Sequence, residues 1–403
     1  MKNIVLSQKE ELKYLQSRKY AERVQYKGSL SLLETDLIKL ITGPRRAGKS
    51  VFALQLLAGK SFGYLNFDDA KLLSEFDEDA VYDALKEVYP GFEYLLLDEV
   101  QNLANWDLWV SKLRRRGVNL VITGSNAKML SSEMATVLTG RYVEIEILPF
   151  SLEEAMSLYT EEVEDANYEY LKCGGFPEVV KHRDIMSGYL SSLYDSIILK
   201  DIVHRYRVRK TDDLRNLSDF LLENYGNQLS YNEIARFLNL SSVNTVKKYC
   251  GYLSEPYLFF FLPRFDNKVK VMLNAPQKIY IVDNGFITAN SVSLSGNHGR
   301  MLENQVFVNL MRKGYKPGNG MFYFRTRSYK EIDFVTKEGS KIKSLIQVSY
   351  DISNLRTRER EFAALYDASS ELNCDNLIVV TWNYEGTVEY KGKVIKCVSW
   401  TQF

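Results

Sequence analysis

Short apolar runs and longer amphipathic segments alternate along the first 150 residues of the chain. Runs rich in branched or aromatic residues predict buried strands, at residues 37–41, 63–69, 92–97 and 118–123. The segments between these runs, beginning with residues 51–57, have helical periodicity. Alternating strands and helices are typical of an α/β domain with a parallel sheet, which we expect over residues 1–150.

The pattern changes after residue 150. Helical sequence dominates residues 151–225, and it opens on a capping box of Ser151 and Glu154. The chain therefore divides into four predicted segments, which are an α/β core at 1–150, a helical lid or linker at 151–225, a small helical and β domain at 226–290 and a mixed domain at 291–403.

A phosphate-binding loop follows the first predicted strand. The spacing G-x-x-x-x-G-K-[ST] is met at every fixed position, and a helix follows directly. In such a loop the backbone N–H groups surround phosphate oxygens, Lys49 reaches the β- and γ-phosphates, and the Ser50 hydroxyl ligates Mg²⁺. A chance match is the alternative, which the correct strand and helix on either side disfavour. The predicted nucleotide-binding residues are Gly43, Pro44, Arg45, Arg46, Ala47, Gly48, Lys49, Ser50 and Val51.

Two carboxylates end the apolar run at 92–97. Asp98 is expected to hold the hydration shell of Mg²⁺, and Glu99 to polarise the attacking water as a general base. The alternative is an acidic turn after a core strand.

Three further polar residues stand near predicted strand ends. Ser125 and Asn126 follow the run at 118–123, so one of them would position water or sense the γ-phosphate, unless they form a plain turn. Arg141 begins a later strand and is a candidate arginine finger, in cis or in trans, or a surface arginine.

Composition and charge exclude few classes of function. The net charge of +1 gives no global field toward nucleic acid or membrane. Cys173, Cys250, Cys374 and Cys397 lack C-x-x-C spacing and predict reduced thiols in a cytoplasmic protein. No apolar run would span a bilayer. Because no Asn-Lys-x-Asp motif is present, ATP is favoured over GTP as the nucleotide.

Residues 228–265 predict a helix-turn-helix. A capping box of Ser230 and Glu233 opens the first helix, and the second covers residues 242–253. Predicted strands at 258–262 and 268–271 would form a hairpin, hence a winged helix. The alternatives for this domain are contact with duplex DNA and a protein–protein or intramolecular role. The candidate DNA contacts are Ser242, Asn244, Thr245, Lys247 and Lys248.

The last segment predicts the order helix, three strands, helix, strand. With a glutamate on the helix and an aspartate on a strand, it resembles the restriction-endonuclease-like nuclease core, whose carboxylates bind Mg²⁺ beside a lysine. Glu303 and Asp333 match that pattern, but Gln347 stands in place of a carboxylate and Ser349 in place of the lysine. We expect this site to be degenerate and the domain to be kept for binding or assembly.

As a whole, the chain resembles a prokaryotic family of uncharacterised ATPases related to the AAA superfamily. The resemblance implies an AAA-like P-loop NTPase core that binds ATP under a helical lid, with a winged helix and a nuclease-like domain, and it defines no cellular task. The matching stretches are residues 43–50, 98–99, 124–126, 174–178, 278–285 and 299–349.

Three functions are compatible with these patterns. The first is an ATP-hydrolysing switch that moves the later domains on duplex DNA or a protein partner, in a protein that could form a homo-oligomer. The others are a DNA-binding regulator with ATP as a structural ligand and an ATP-dependent nuclease.

Overall fold

The computed structural model describes residues 1–125, 140–159, 165–292 and 297–403. These residues form two compact units. The N-terminal unit comprises Met1–Leu158 together with the short segment Glu255–Tyr257, and the C-terminal unit comprises Tyr159–Ser254 and Leu258–Phe403. Most of the helical region predicted as a lid or linker therefore packs with the C-terminal half of the chain.

The N-terminal unit is built on a five-stranded sheet in which every pairing is parallel. The strand order is β2-β3-β4-β1-β5, so β4 lies between β1 and β3. This arrangement confirms the predicted α/β core. The strands are β1 (Ile38–Thr42), β2 (Phe62–Asn66), β3 (Tyr94–Asp98), β4 (Asn119–Gly124) and β5 (Tyr142–Glu146).

Helices bury the apolar strands of this sheet. The residues of β1 and β3 are buried throughout, as expected of parallel strands in a sheet interior. Polar side chains cap the amino ends of several helices, as Asp69 and Asp77 do, and the predicted capping box of Ser151 and Glu154 is confirmed. The helices are α1 (Lys2–Ser17), α2 (Tyr26–Leu33), α3 (Lys49–Leu56), α4 (Ala70–Ser74), α5 (Glu78–Val88), α6 (Trp106–Arg115) and α7 (Leu152–Met156).

The C-terminal unit begins with helices that pack around a buried aspartate. The carboxylate of Asp283 accepts hydrogen bonds from the amides of Gly175 (2.7 Å) and Gly285 (2.9 Å). Two of the stretches singled out in the sequence, 174–178 and 278–285, are thus joined. The helices are α8 (Ala166–Cys173), α9 (Pro177–Lys181), α10 (Met186–Ser196), a π-helix (Ile197–His204) and α11 (Thr211–Glu223).

The predicted helix-turn-helix is present as two helices, and the Ser230–Glu233 capping box is confirmed. One strand before these helices and two after them form a three-stranded sheet in the order β6-β8-β7. The elements are β6 (Gln228–Leu229), α12 (Tyr231–Phe237), α13 (Val243–Ser254), β7 (Phe259–Leu262), α14 (Val269–Asn274), β8 (Gln277–Ile281) and α15 (Asn284–Asn290).

The predicted hairpin is wrong in its second strand. Residues 268–271 were expected to pair with 258–262, but β7 pairs with β8, and Val269–Asn274 is a short helix with no buried residue. The Lys-Val alternation fits a strand locally. However, pairing selects the segment that can bury its side chains, and Ile279, Tyr280 and Ile281 do so.

The final segment contains the predicted helix, three strands, helix and strand, and three strands that were not predicted complete a seven-stranded mixed sheet. The strand order is β14-β15-β13-β12-β11-β10-β9. The elements are α16 (His298–Arg312), β9 (Lys316–Pro317), β10 (Gly320–Arg325), β11 (Glu331–Glu338), β12 (Lys341–Ser349), α17 (Leu355–Leu372), β13 (Leu377–Thr381), β14 (Gly386–Tyr390) and β15 (Lys393–Ser399).

Across the part of the chain that the structure describes, no helix combines the length and the apolarity that a bilayer crossing would need.

Candidate functional site

The loop at 43–50 joins the carboxyl end of β1 to the amino end of α3. Its backbone needs glycine at two positions. Gly43 has φ 142°, and a Cβ there would lie 2.0 Å from the carbonyl oxygen of Ile147, while Gly48 has φ 95°. Arg46 takes the left-handed conformation with φ 66° and is exposed. The loop therefore wraps tightly ahead of the helix, as a cradle of backbone amides for phosphate oxygens requires.

Lys49 is the first residue of α3, and its side chain is buried. Its ammonium donates a 3.1 Å hydrogen bond to the carbonyl of Pro44, across the loop. It also lies 3.6 Å from Oε1 of Glu99. The lysine thus places a positive charge between the loop and the acidic end of β3.

Asp98 ends β3 and meets Ser50 from across the sheet. Ser50 Oγ donates a 2.8 Å hydrogen bond to Asp98 Oδ1, and the hydroxyl of Thr123, on the intervening strand β4, donates to the same oxygen. Burial and the neighbouring charge of Glu99 raise the pKa of Asp98 to about 6, against the lowering effect of these two hydrogen bonds.

Glu99 has φ 53°, an uncommon conformation for a residue with a side chain. Its amide donates to Thr123 Oγ1 at 3.0 Å, and its carboxylate accepts a hydrogen bond from Gln101. Burial would raise the pKa of Glu99, but Lys49 and Gln101 outweigh it and the pKa lies below its usual value. The carboxylate is therefore ionised at neutral pH, as a general base must be.

Thr123 and Gln101 belong to the site although the sequence did not single them out. Thr123 bridges the two acidic residues, and Gln101 Nε2 lies 3.3 Å from Ser125 Oγ. Ser125 itself is buried. The signal for Thr123 was its place at the end of β4, where side chains of neighbouring parallel strands converge.

The expectation that Arg141 is a finger in cis is wrong. Tyr142 pairs with Ile38 at the amino end of β1, and Arg141 precedes it. The loop lies at the opposite end of that strand, which is at least about 13 Å away at the usual rise per residue. Arg141 is exposed, so a role in trans stays a prediction. Asn126 lies outside the described residues.

The remaining loop residues differ in exposure. Arg45 is half-buried and contributes to the lowered pKa of Glu99, whereas Pro44 and Ala47 are buried. Val51 is half-buried at the start of α3.

The residues at the loop fit a nucleotide and Mg²⁺. The Ser50 hydroxyl and the Asp98 carboxylate are hard oxygen donors held 2.8 Å apart, which is the donor type that Mg²⁺ prefers. The close approach of Gly43 to Ile147 leaves no room for a side chain, so the loop requires glycine at its first position.

The candidate DNA contacts lie on one face of α13 or just before it. Ser242, Asn244, Lys247 and Lys248 are exposed. Thr245 is half-buried, and its hydroxyl lies 3.0 Å from that of Ser242. The exposed face is polar and basic, as predicted, while contact with DNA remains a prediction.

The candidate nuclease residues gather around a lysine that the prediction did not include. Lys278 lies 2.6 Å from Glu303 and 2.9 Å from Asp333. Gln347 is adjacent and accepts a hydrogen bond from the amide of Asp333 at 2.7 Å. Among the described residues, no group of three or more His, Cys, Asp or Glu side chains is placed to hold a metal ion. Ser349 donates to the carbonyl of Asp351.

Comparison with known proteins gives three matches to domain families. Residues 35–156 match an AAA domain, residues 164–295 match a domain of unknown function (DUF8612), and residues 298–403 match another (DUF4143). The AAA match covers the loop, β3 and β4, which carry the site just described.

Relatives cover nearly the whole chain. The uncharacterized protein MJ1544 of Methanocaldococcus jannaschii is 34% identical over 390 residues, which is 90% of this chain and 86% of the relative. An uncharacterized protein of Haemophilus influenzae is 33% identical over 391 residues, covering 91% of this chain and 94% of its own. Among solved structures, the Walker-type ATPase PABY2304 of Pyrococcus abyssi matches with 15% identity and a TM-score of 0.46, over 67% of this chain and 95% of that one. The chain belongs to the prokaryotic family of uncharacterised AAA-like P-loop ATPases that includes the M. jannaschii and H. influenzae proteins.

Proposed function

We propose that this protein binds ATP with Mg²⁺ at the loop of residues 43–50 and hydrolyses it, acting as a switch on a partner. The observation that carries this proposal is the meeting of the Ser50 hydroxyl and the Asp98 carboxylate, 2.8 Å apart, beside the Lys49–Glu99 pair. The four side chains combine oxygen donors for a cation, an ammonium for phosphate and a carboxylate for water within one cluster.

Each residue has a distinct task in this proposal. Backbone amides of the loop and Lys49 bind the phosphates, and Ser50 and Asp98 hold the hydrated Mg²⁺, which neutralises charge on the phosphates. Glu99 orients the attacking water and takes its proton. Gln101 and Thr123 hold Glu99 and Asp98 in place through the hydrogen bonds described above.

The test is ATP turnover and ATP binding in matched variants. Lys49→Ala should lose both, while Glu99→Gln should keep binding and lose turnover by about 100-fold or more, the scale of general base catalysis. The controls are Lys60→Ala and Glu93→Gln, two exposed residues outside the loop, of which Lys60 lies between α3 and β2 and Glu93 directly before β3. Unchanged turnover in both site variants would overturn the proposal.

Nucleic acid is our candidate for the partner of the switch. The exposed face of α13 carries Lys247 and Lys248 beside small polar groups, which suits a helix that lies in the major groove. Turnover should then rise when duplex DNA is added. If DNA binds but leaves turnover unchanged, a regulator with ATP as a structural ligand is the better description.

Assembly can be tested in the same assay. A specific turnover rate that rises with protein concentration would indicate a site completed by a second copy. The exposed Arg141 is then the candidate residue in trans, and Arg141→Ala should remove the concentration dependence while leaving ATP binding intact.

A further inference from the structure

Lys278 lies on β8, and its side chain is buried. Its ammonium contacts three carboxylates, with Oε1 of Glu303 at 2.6 Å, Oε1 of Glu331 at 2.7 Å and Oδ1 of Asp333 at 2.9 Å. The acids come from α16 and β11, whereas the lysine comes from the three-stranded sheet. An ammonium group has three N–H donors, so each of them has a carboxylate acceptor here.

The carboxylates are themselves held by further donors. The hydroxyl of Tyr280 donates to Glu303 at 2.6 Å, and the amide of Val348 donates to the second oxygen of Asp333 at 2.9 Å. Gln228 donates to Glu331. Both the cation and its acids are therefore fixed in position by neighbouring elements of the fold.

The charge of the lysine is secured by the same contacts. Burial alone would lower the pKa of Lys278, but Asp333 and Glu303 raise it well above the ordinary value of a lysine. A buried ammonium is retained only where carboxylates or similar acceptors compensate for its lost hydration. The cluster thus contains a permanent positive charge at neutral pH.

The positive charge of Lys278 occupies the place where the resemblance to a nuclease would put a metal ion. In the nuclease core that this segment resembles, clustered carboxylates bind a divalent cation. Here an ammonium stands between the helix acid Glu303 and the strand acid Asp333. Gln347, which replaces the expected third carboxylate, donates to Glu361 at 2.6 Å and adds no charge to the cluster.

We propose that the ammonium of Lys278 is a built-in cation that takes the place of a divalent metal ion between Glu303 and Asp333. The lysine compensates the negative charge of the carboxylates and links β8 to α16 and β11 through these ion pairs. The C-terminal domain then carries out no metal-dependent hydrolysis, and the cluster has a structural role in holding β8, α16 and β11 together.

Mn²⁺ binding to the full-length protein tests this proposal, with free Mn²⁺ followed by electron paramagnetic resonance. The background is Ser50→Ala with Asp98→Asn, which removes the hydroxyl and the negative charge from the site at the phosphate loop. With Lys278 present, no Mn²⁺ should bind at the cluster. With Lys278→Met, a similar length of apolar side chain leaves the acids without a cation, and one Mn²⁺ site should appear that is absent with Lys278 present.

The control is Lys278→Met together with Asp333→Asn, which should lose the gained site. Two results would overturn the proposal. One is Mn²⁺ binding with Lys278 present that disappears on Asp333→Asn, and the other is a folded Lys278→Met variant that gains no site.

Removal of a buried cation could prevent folding, so a second variant is needed. Lys278→Gln with Glu331→Gln removes one charge of each sign and keeps Glu303 and Asp333. If Lys278→Met fails to fold, this pair should gain the Mn²⁺ site instead, and its failure to do so while folded would count equally against the proposal.

Discussion

The hydroxyl of Ser50, in the first turn of α3, donates a 2.8 Å hydrogen bond to the carboxylate of Asp98, at the end of β3, although β4 lies between β3 and the strand β1 that precedes the loop. Thr123, on the intervening strand β4, donates a hydrogen bond to the same carboxylate oxygen. Three side chains, from α3, β4 and β3, therefore link the helix that follows the loop to the acidic end of β3.

This link predicts that Ser50 and Asp98 act as one unit in turnover. Ser50→Ala and Asp98→Asn should each lower Mg²⁺-dependent ATP hydrolysis by about 100-fold, because the first removes a hydroxyl and the second a negative charge from the same cation site. The double variant should be no slower than the slower single variant, as measured by steady-state kinetics. Losses that multiply would show that the two residues act separately.

Gly174 is expected to tolerate no side chain. It has φ 75°, and a Cβ would lie 1.7 Å from an Asp283 oxygen, so Gly174→Ala must displace the buried aspartate. We expect a loss of about 2–4 kcal/mol in the free energy of unfolding, measured by chemical denaturation.

The matched control is Gly188→Ala on α10, where a Cβ meets nothing within 4 Å. The free energy of unfolding of that variant should be unchanged or higher by up to about 1 kcal/mol, because alanine is the better helix former. Equal stability of the two variants would contradict the role assigned to Gly174.

Asp283 predicts a pH dependence of stability. Burial raises its pKa to about 6 against the hydrogen bonds from Gly175 and Gly285, so the folded protein binds more protons than the unfolded chain between about pH 4 and 6. The contribution of this residue to stability is thus greatest below about pH 4 and falls as the pH rises to about 6, by up to about 3 kcal/mol.

Denaturation of the native protein and of Asp283→Asn across pH 4 to 7 isolates this effect, because other buried carboxylates contribute to both proteins. The difference in stability between the two should change with pH in that window. A constant difference would show that Asp283 titrates normally.

Lys247 and Lys248 predict the salt dependence of DNA binding. Lys247→Ala with Lys248→Ala should weaken duplex binding and reduce the slope of log K against log salt by about 1 to 2, since each lysine would neutralise about one phosphate. Lys172→Ala with Lys181→Ala removes two exposed lysines elsewhere and is the charge-matched control. An unchanged slope in the first pair would exclude α13 as the DNA contact.

Features that depend on local spacing were predictable from the sequence. The loop, the alternation of strands and helices in the first 150 residues, and two capping boxes follow from residues that are close in the chain. Asp98 and Glu99 were also predicted as site residues, because an apolar run followed directly by two acidic residues indicates the carboxyl end of a buried strand. The position of Arg141 could have been predicted too, since a residue before a strand parallel to β1 must lie at the far edge of the sheet.

Features that depend on distant residues were not predictable in this way. The choice of β8 rather than residues 268–271 as partner of β7 rests on which segment is buried. Lys278 joins acids 25 and 55 residues further along the chain, Glu303 and Asp333, and no local pattern indicates that meeting. Thr123 and Gln101 act through hydrogen bonds whose partners only the folded sheet brings within reach.

The segment Glu255–Tyr257 has a consequence for biosynthesis. Tyr257 is buried in the N-terminal unit, where its hydroxyl donates to Thr42 at 3.0 Å, directly before the loop. Residues 159–254 leave the ribosome before this tyrosine does. The N-terminal unit therefore gains the hydrogen bond between Tyr257 and Thr42 only after residues 159–254 have also been synthesised.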